Sequence, residues 1–95
     1  MRLTEAKRLA IKKSVHQFLP DAQVYLYGSR TDDAKRGGDI DLLVLTGAEA
    51  TMYLKVKIIG AMYKRMGEQK IDLLLEDPTK LSEFGALVFP HALPL

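Results

Sequence analysis

Three short apolar runs constrain the fold of this chain more than any other feature of its sequence. They occupy residues 24–27 (VYLY), 39–45 (DIDLLVL) and 71–75 (IDLLL). Runs of this length, rich in aliphatic, β-branched and aromatic side chains, are typical of buried strands. We therefore expect three strands, with helices before, between and after them.

The first and longest helices are predicted from apolar residues that recur at helical spacing. Residues 4–19 follow this spacing through Ile11, Val15 and Phe18, with Thr4 as a plausible N-cap. A long second helix is expected to bury one face, formed by residues at steps of four and three: Met52, Val56, Ile59, Tyr63 and Met66.

A short last helix is expected near residues 81–88 and should stop at Pro90. The order of elements is then helix, strand, loop, strand, helix, strand, helix. This order predicts an α/β (α+β) fold, in which a small mixed β-sheet has flanking helices. At 95 residues the chain should form one domain over residues 1–95.

Composition excludes several classes of protein and site. The chain has no cysteine, so disulfides and thiolate zinc sites are excluded. No apolar run approaches the roughly 18 to 20 residues needed to span a bilayer, and no signal peptide is expected, so a cytoplasmic protein is predicted. The net charge of +2 is too small to favour nucleic acid as the main partner.

Aspartates interrupt two of the three apolar runs. In a strand, Asp39 and Asp41 project to the same face about 6.6 Å apart, and Asp72 on a neighbouring strand could stand beside them. At an effective dielectric near 20, two such charges repel by about 2.5 kcal/mol. Three clustered carboxylates would therefore need a cation, and oxygen ligands select a hard divalent ion such as Mg²⁺.

A Gly-Ser turn closes the first predicted strand. Gly28 permits a sharp turn and a close approach by a ligand. If Ser29 opens a helical turn, its hydroxyl and the free N–H groups suit phosphate oxygens, and Arg30 adds a positive charge. Alone, this turn is a weak signal and is better explained as an ordinary turn with a solvated Arg30, and its significance comes from the nearby aspartates.

Each aspartate also has a structural explanation when it is taken singly. Asp39 could cap a strand end, and Asp41 and Asp72 could pair with nearby lysine or arginine. The combination of an Asp-X-Asp pair after Gly-Gly with a third aspartate inside an apolar strand favours the metal interpretation over these roles.

The stretch YLYGSRTDDAKRGGDIDLLVL, together with Asp72, resembles the signature of the DNA polymerase beta-like nucleotidyltransferase superfamily. The similarity is greatest to its minimal members, the MNT domains, and the order of elements fits from Leu3 to about Val88. The Ser-to-Asp spacing departs slightly from the family, because many minimal members have ten intervening residues and this chain has nine.

The resemblance implies transfer of a nucleotide from a nucleoside triphosphate, usually ATP. It implies that Asp39 and Asp41 hold Mg²⁺ on the phosphates, with one or two ions in the site. The residue matching Asp72 would complete the metal site and help deprotonate the attacking hydroxyl. Gly28, Ser29 and Arg30 would form the nucleotide-binding turn.

The resemblance also implies a partner, because about twenty residues follow the third strand, too few for an acceptor domain. Minimal members of this kind resemble the smaller half of a two-protein pair whose other half is a helical HEPN protein. In toxin-antitoxin versions the MNT protein is the antitoxin and can transfer AMP to a tyrosine of its partner. The alternative function is a non-catalytic module that binds and neutralises such a partner while it retains a nucleotide site.

The last twelve residues, 84–95, contain no charged side chain. We expect this tail and the long helix to form a contact surface for a second copy of the chain or for the helical partner. The alternative is that the tail folds back as a cap on its own core.

Overall fold

The computed structural model describes residues 3–28 and 39–95. Its elements, in chain order, are α1 (Glu5–Phe18), β1 (Gln23–Tyr27), β2 (Ile40–Leu45), α2 (Met52–Met66), β3 (Ile71–Glu76), α3 (Glu83–Val88), a 3-10 turn (Phe89–His91) and β4 (Leu93–Pro94). The predicted mixed α/β class and the three predicted strands are confirmed. Over the described residues no helix is both long and apolar enough to cross a membrane.

The four strands form one mixed sheet in the order β3-β2-β1-β4. β2 runs parallel to β3 and antiparallel to β1, and β4 is antiparallel to β1 at the edge. The parallel pair is joined by α2, as a crossover between parallel strands requires. The two strands that carry aspartates are therefore direct neighbours in the middle and at one edge of the sheet.

Helix α1 begins where the sequence predicts it. The side chain of Thr4 accepts a hydrogen bond from the backbone N–H of Lys7 (3.1 Å), which satisfies one of the free donors of the first turn. Ile11 and Val15 are completely buried. The predicted spacing thus identified the side of α1 that packs on the sheet.

Helix α2 has the expected length, but its predicted buried face is largely wrong. The buried residues are Ile58, Ala61 and Met62, whereas Met52 and Val56 are 72% and 60% exposed. Apolar residues occur on every side of this helix, so their spacing did not single out one face. The contact with α1 and the sheet decides which of them are covered.

The sheet separates two apolar clusters. Helices α1 and α2 cover one side, where the larger core contains the inward residues of β1, β2 and β3. The other side carries a smaller buried cluster of Tyr27, Leu43 and Leu45, which α3 and the residues around it cover. This second side leaves an open stretch of sheet near the start of β2 and β3.

The tail folds back on its own sheet, which sequence reasoning treated only as the alternative. Leu93 and Pro94 form β4 beside β1, and the backbone N–H of Leu95 donates to the carbonyl of Val24 (2.9 Å). The side chain of Leu95 packs on the larger core. The tail therefore packs on its own sheet, and contact of the long helix and the tail with a second chain stays a prediction.

Candidate active site

One row of residues crosses three strands at the open side of the sheet. Asp41 in β2 lies directly opposite Tyr27 in β1 and directly opposite Asp72 in β3. Residues paired in this way project to the same face. Ile40 and Leu42, which flank Asp41, point to the opposite side and are completely buried under the helices. The structure therefore brings Asp41 and Asp72 together on the side that the two long helices leave uncovered.

The carboxylate of Asp41 lies in an unfavourable electrostatic environment. Burial raises its pKa above the usual value of 3.8, and the negative charges of Asp72 and Asp39 raise it further. Both neighbours act in the same direction as burial because each disfavours a second negative charge nearby. Asp39 thus belongs to the same group electrostatically, although it precedes β2 rather than lying within it.

Asp39 has a cationic neighbour. Its Oδ2 lies 3.7 Å from the Nζ of Lys70, the residue that precedes β3, and both side chains are substantially exposed. An exposed pair at this distance contributes little to stability. Among the described residues, no three acidic or histidine side chains are close enough together to form a ready-made metal site. The structure therefore pairs Asp41 with Asp72 and leaves Asp39 beside Lys70.

Gly28 follows β1 and lies against the carboxylate of Asp41. Its φ of +77° is in the left-handed region, which side-chain-bearing residues rarely adopt. A Cβ at this position would lie 3.1 Å from the Cγ and 3.3 Å from the Cβ of Asp41, and closer still to Oδ2. Both observations require glycine here. The two residues predicted to continue the turn, Ser29 and Arg30, lie outside the described residues.

Residues 9–92 match the family model for the nucleotidyltransferase domain. The chain belongs to this family. The family model covers every described strand that carries an aspartate and most of the helical layer. A search of curated proteins found no match.

Membership establishes the general reaction of this nucleotidyltransferase domain. Transfer of a nucleotidyl group requires a nucleotide substrate, and the polymerase beta-like fold expected from the sequence agrees with the mixed sheet and three helices. The general prediction of a nucleotidyltransferase is therefore confirmed. The identity of the base, the acceptor and any protein partner are finer questions, which family membership leaves open.

Sequence reasoning missed Tyr27 as a member of the site. Tyr27 is only 7% exposed, and its pKa is raised to about 12 by burial and by the negative charges of Asp72 and Asp41. Tyr27 thus shares the cross-strand row with Asp41 and is affected by the charges of both carboxylates. The signal was present in the sequence, because Tyr27 directly precedes Gly28, but it was interpreted only as the end of a strand.

The donor set of the site fits a hard divalent cation. All three candidate ligands are carboxylates, which suit Mg²⁺ and not softer transition metals. Burial raises the pKa of Asp41, the negative charges of Asp72 and Asp39 raise it further, and a bound cation would relieve the repulsion among these charges. Asp41 and Asp72 are adjacent, and Asp39 would have to leave Lys70 to join them.

Proposed function

We propose that this nucleotidyltransferase transfers AMP from Mg²⁺-bound ATP to a hydroxyl group of a protein partner. The observation that carries the proposal is the pairing of Asp41 with Asp72 on the open side of the sheet, with Asp39 acting on the same carboxylate. A surface that served only to bind a partner has no need of mutually repelling carboxylates. Their cost is understandable if they serve a charged ligand.

Each site residue has a role in this proposal. Asp39, Asp41 and Asp72 hold Mg²⁺, and Gly28, Ser29 and Arg30 bind the phosphates of the nucleotide. When bound, Mg²⁺ offsets the negative charge of the triphosphate and of the carboxylates. Gly28 suits this role because it brings the backbone directly against Asp41 without an intervening side chain.

The reaction is an in-line substitution at the α-phosphorus. The acceptor hydroxyl oxygen forms a new bond to this phosphorus, the bond to the bridging oxygen of the β-phosphate breaks, and pyrophosphate leaves. Asp72 accepts the proton of the hydroxyl. Its exposed position at the edge strand β3 supports this assignment, since an acceptor from another protein can approach it. The protein contributes mainly the position of the reactants and compensation of charge.

The proposed acceptor is a helical protein of the HEPN type, with this chain as the antitoxin-like half of the pair. The proposal rests on the resemblance of the chain to minimal nucleotidyltransferases. A second copy of the chain is the other candidate partner. In either case the acceptor would reach the site from the side of the sheet that α1 and α2 leave uncovered.

Radiolabel transfer tests the proposed reaction. The protein is incubated with Mg²⁺, α-labelled ATP and a purified helical HEPN-type protein, and label in this candidate partner is measured after gel separation. We expect label transfer by the wild type and at least a 100-fold loss in Asp41→Asn and Asp72→Asn. Asp21→Asn makes the same charge change at an exposed position outside the site and should retain full activity.

Two outcomes would contradict the proposal. If the wild type and both site variants transfer label equally, the two carboxylates take no part in the reaction. If no label is transferred, but the wild type and the variants bind and neutralise the partner equally well, the chain is a binding module that does not use its nucleotide site.

A further inference from the structure

An exposed phenylalanine stands beside the row of site residues. Phe84 lies in α3, on the same side of the sheet as Asp41 and Asp72, and is 51% exposed. Its ring centroid is 6.1 Å from that of Tyr27, with the two ring planes at 72°. Tyr27 is directly opposite Asp41 in the sheet, so Phe84 contacts the immediate cross-strand neighbour of Asp41. The edge contact with Tyr27 leaves about half of the Phe84 side chain uncovered.

The backbone that carries Phe84 is fixed by a buried network. Glu76, at the end of β3, is only 8% exposed and accepts hydrogen bonds from the N–H (2.7 Å) and hydroxyl (2.8 Å) of Ser82. The Ser82 hydroxyl oxygen accepts from the N–H of Gly85 (3.0 Å) and so caps α3. A Cβ at Gly85 would approach the Glu76 carboxyl carbon to 2.7 Å, so close packing depends on glycine there.

Several large apolar side chains of this chain are exposed, and Phe84 differs from them in its ring contact with Tyr27, beside the carboxylates. Exposure of a large apolar side chain forgoes the stabilisation that burial would give. Aromatic rings stack on nucleobases, and this contact tolerates any base because every base has a π-face. A nucleotide is the substrate of the family, and Phe84 lies on the side of the sheet where its phosphates would be held.

We infer that Phe84 is the platform on which the base of the donor nucleotide stacks, held in position by Glu76 and Ser82. This inference rests on the proposed function, because it assumes that the triphosphate binds beside Asp41 and Asp72. It deepens that function by separating two parts of the site. The carboxylates and the Gly28 turn hold the phosphates, and Phe84 holds the base with little preference for its identity.

Calorimetric titration with two magnesium-bound ligands tests the inference. Mg-ATP carries a base and Mg-tripolyphosphate does not, although both offer the same three linked phosphates. In Phe84→Ala we expect the Kd for Mg-ATP to rise about 5- to 150-fold, which is the range for loss of one stacked base. The Kd for Mg-tripolyphosphate should change by less than twofold, and Phe84→Trp should bind Mg-ATP at least as tightly as the wild type.

Phe89 provides a matched control. It is 37% exposed and makes a similar edge contact with Tyr25 (5.4 Å between centroids), further from the carboxylates. Phe89→Ala should leave both Kd values unchanged. The inference is overturned if Phe84→Ala and Phe89→Ala weaken Mg-ATP equally, or if Phe84→Ala weakens both ligands to the same extent. If the wild type binds neither ligand, the proposed function itself fails.

Discussion

At the scale of single residues, the surroundings of Asp41 disfavour its charged form. Burial and the charges of Asp72 and Asp39 raise its pKa, so the folded protein binds this proton more tightly than the unfolded chain does. The stabilisation that comes from this tighter proton binding is fully present below the pKa of Asp41 in the unfolded chain, near 3.8. It is lost as the pH rises through the pKa of Asp41 in the folded protein. At neutral pH the charged Asp41 therefore destabilises the protein.

The first prediction is that Asp41→Asn stabilises the protein in the absence of ligand, and more so at pH 7 than at pH 4. After a discount for solvent screening we expect about 0.5 kcal/mol at pH 7, or roughly 2–4 °C in Tm. Thermal melts without Mg²⁺ at the two pH values measure this. Asp77→Asn should behave oppositely, because hydrogen bonds from Thr79 lower the pKa of Asp77 and favour its charged form. A less stable Asp41→Asn at pH 7 would indicate a structural role instead.

The second prediction separates two consequences of glycine at position 28. An alanine in the left-handed region costs about 1–2 kcal/mol wherever it occurs. Gly28 and Gly67 both have a positive φ, of +77° and +80°, but only a Cβ at Gly28 would meet Asp41, while the space around Gly67 is open. We expect Gly28→Ala and Gly67→Ala to lower Tm similarly, by at least about 4 °C, but only Gly28→Ala to weaken Mg-ATP binding. If both variants bind Mg-ATP equally well, Gly28 is not part of the nucleotide-binding site.

The row of site residues was only partly predictable from the sequence. The period of a strand places Asp39 and Asp41 on one face, but nothing in the sequence states which strands are neighbours or in what register. The parallel pairing of β2 with β3 brings Asp72 beside Asp41, and it depends on the crossover through α2. Tyr27 was not predicted as a site residue, because its position beside Asp41 depends on the antiparallel register of β1 with β2.

At the scale of elements, local signals predicted where helices begin and end better than which side they bury. The predicted N-cap Thr4 accepts a hydrogen bond of 3.1 Å from the first turn of α1, and Thr51, which was not predicted, makes the same contact in α2. The buried side of α2 and the short edge strand β4 depend instead on contacts with distant parts of the chain. A two-residue strand that contains Pro94 has no periodic pattern, and proline is tolerated there because β4 is at the edge.

The third prediction concerns the cap of α3. Ser82→Ala removes the cap and leaves the buried Glu76 without its hydroxyl donor, so we expect a loss of about 1–2 kcal/mol in unfolding free energy. If α3 positions Phe84, the same change should weaken Mg-ATP but not Mg-tripolyphosphate. Thr51→Ala removes a comparable cap from α2 on the other side of the sheet and should lower stability without affecting either ligand. If Ser82→Ala and Thr51→Ala change the Kd values for the two ligands in the same way, α3 has no role of its own in nucleotide binding.

At the scale of the whole molecule, a net charge of +2 conceals a strong separation of charge. Helices α1 and α2 together carry eight lysine and arginine residues and a single acidic residue, Glu5. The rest of the chain therefore carries six basic and eleven acidic residues out of totals of fourteen and twelve. The helical layer is strongly positive, and the carboxylates of the candidate site lie on the other side of the sheet. Composition alone gave no indication of this arrangement.

Three of the eight basic residues of the helical layer line a cleft between the two helices. Lys57, Lys64 and Arg65 line a cavity of about 310 Å³ together with Gln17 and Gly60, and no acidic residue contributes to its lining. The guanidinium of Arg65 donates to the side chain of Gln17 (3.2 Å), which holds one of these charges in place. Like charges gathered on one face raise the local potential well above the value that the net charge suggests.

The last prediction tests whether this distribution of charge, and not the net charge, governs how strongly the protein binds negatively charged surfaces. Lys57→Glu and Lys80→Glu both reduce the net charge from +2 to 0, but only Lys57 lines the cleft of the helical layer. If the helical layer makes the contact, Lys57→Glu should elute from a cation-exchange column at pH 7.5 at a clearly lower salt concentration than Lys80→Glu, because it removes charge from the face that binds. Lys80→Glu should elute close to the wild type. Coincident elution of the two variants would mean that the net charge alone decides and that the charged helical layer does not act as a distinct surface.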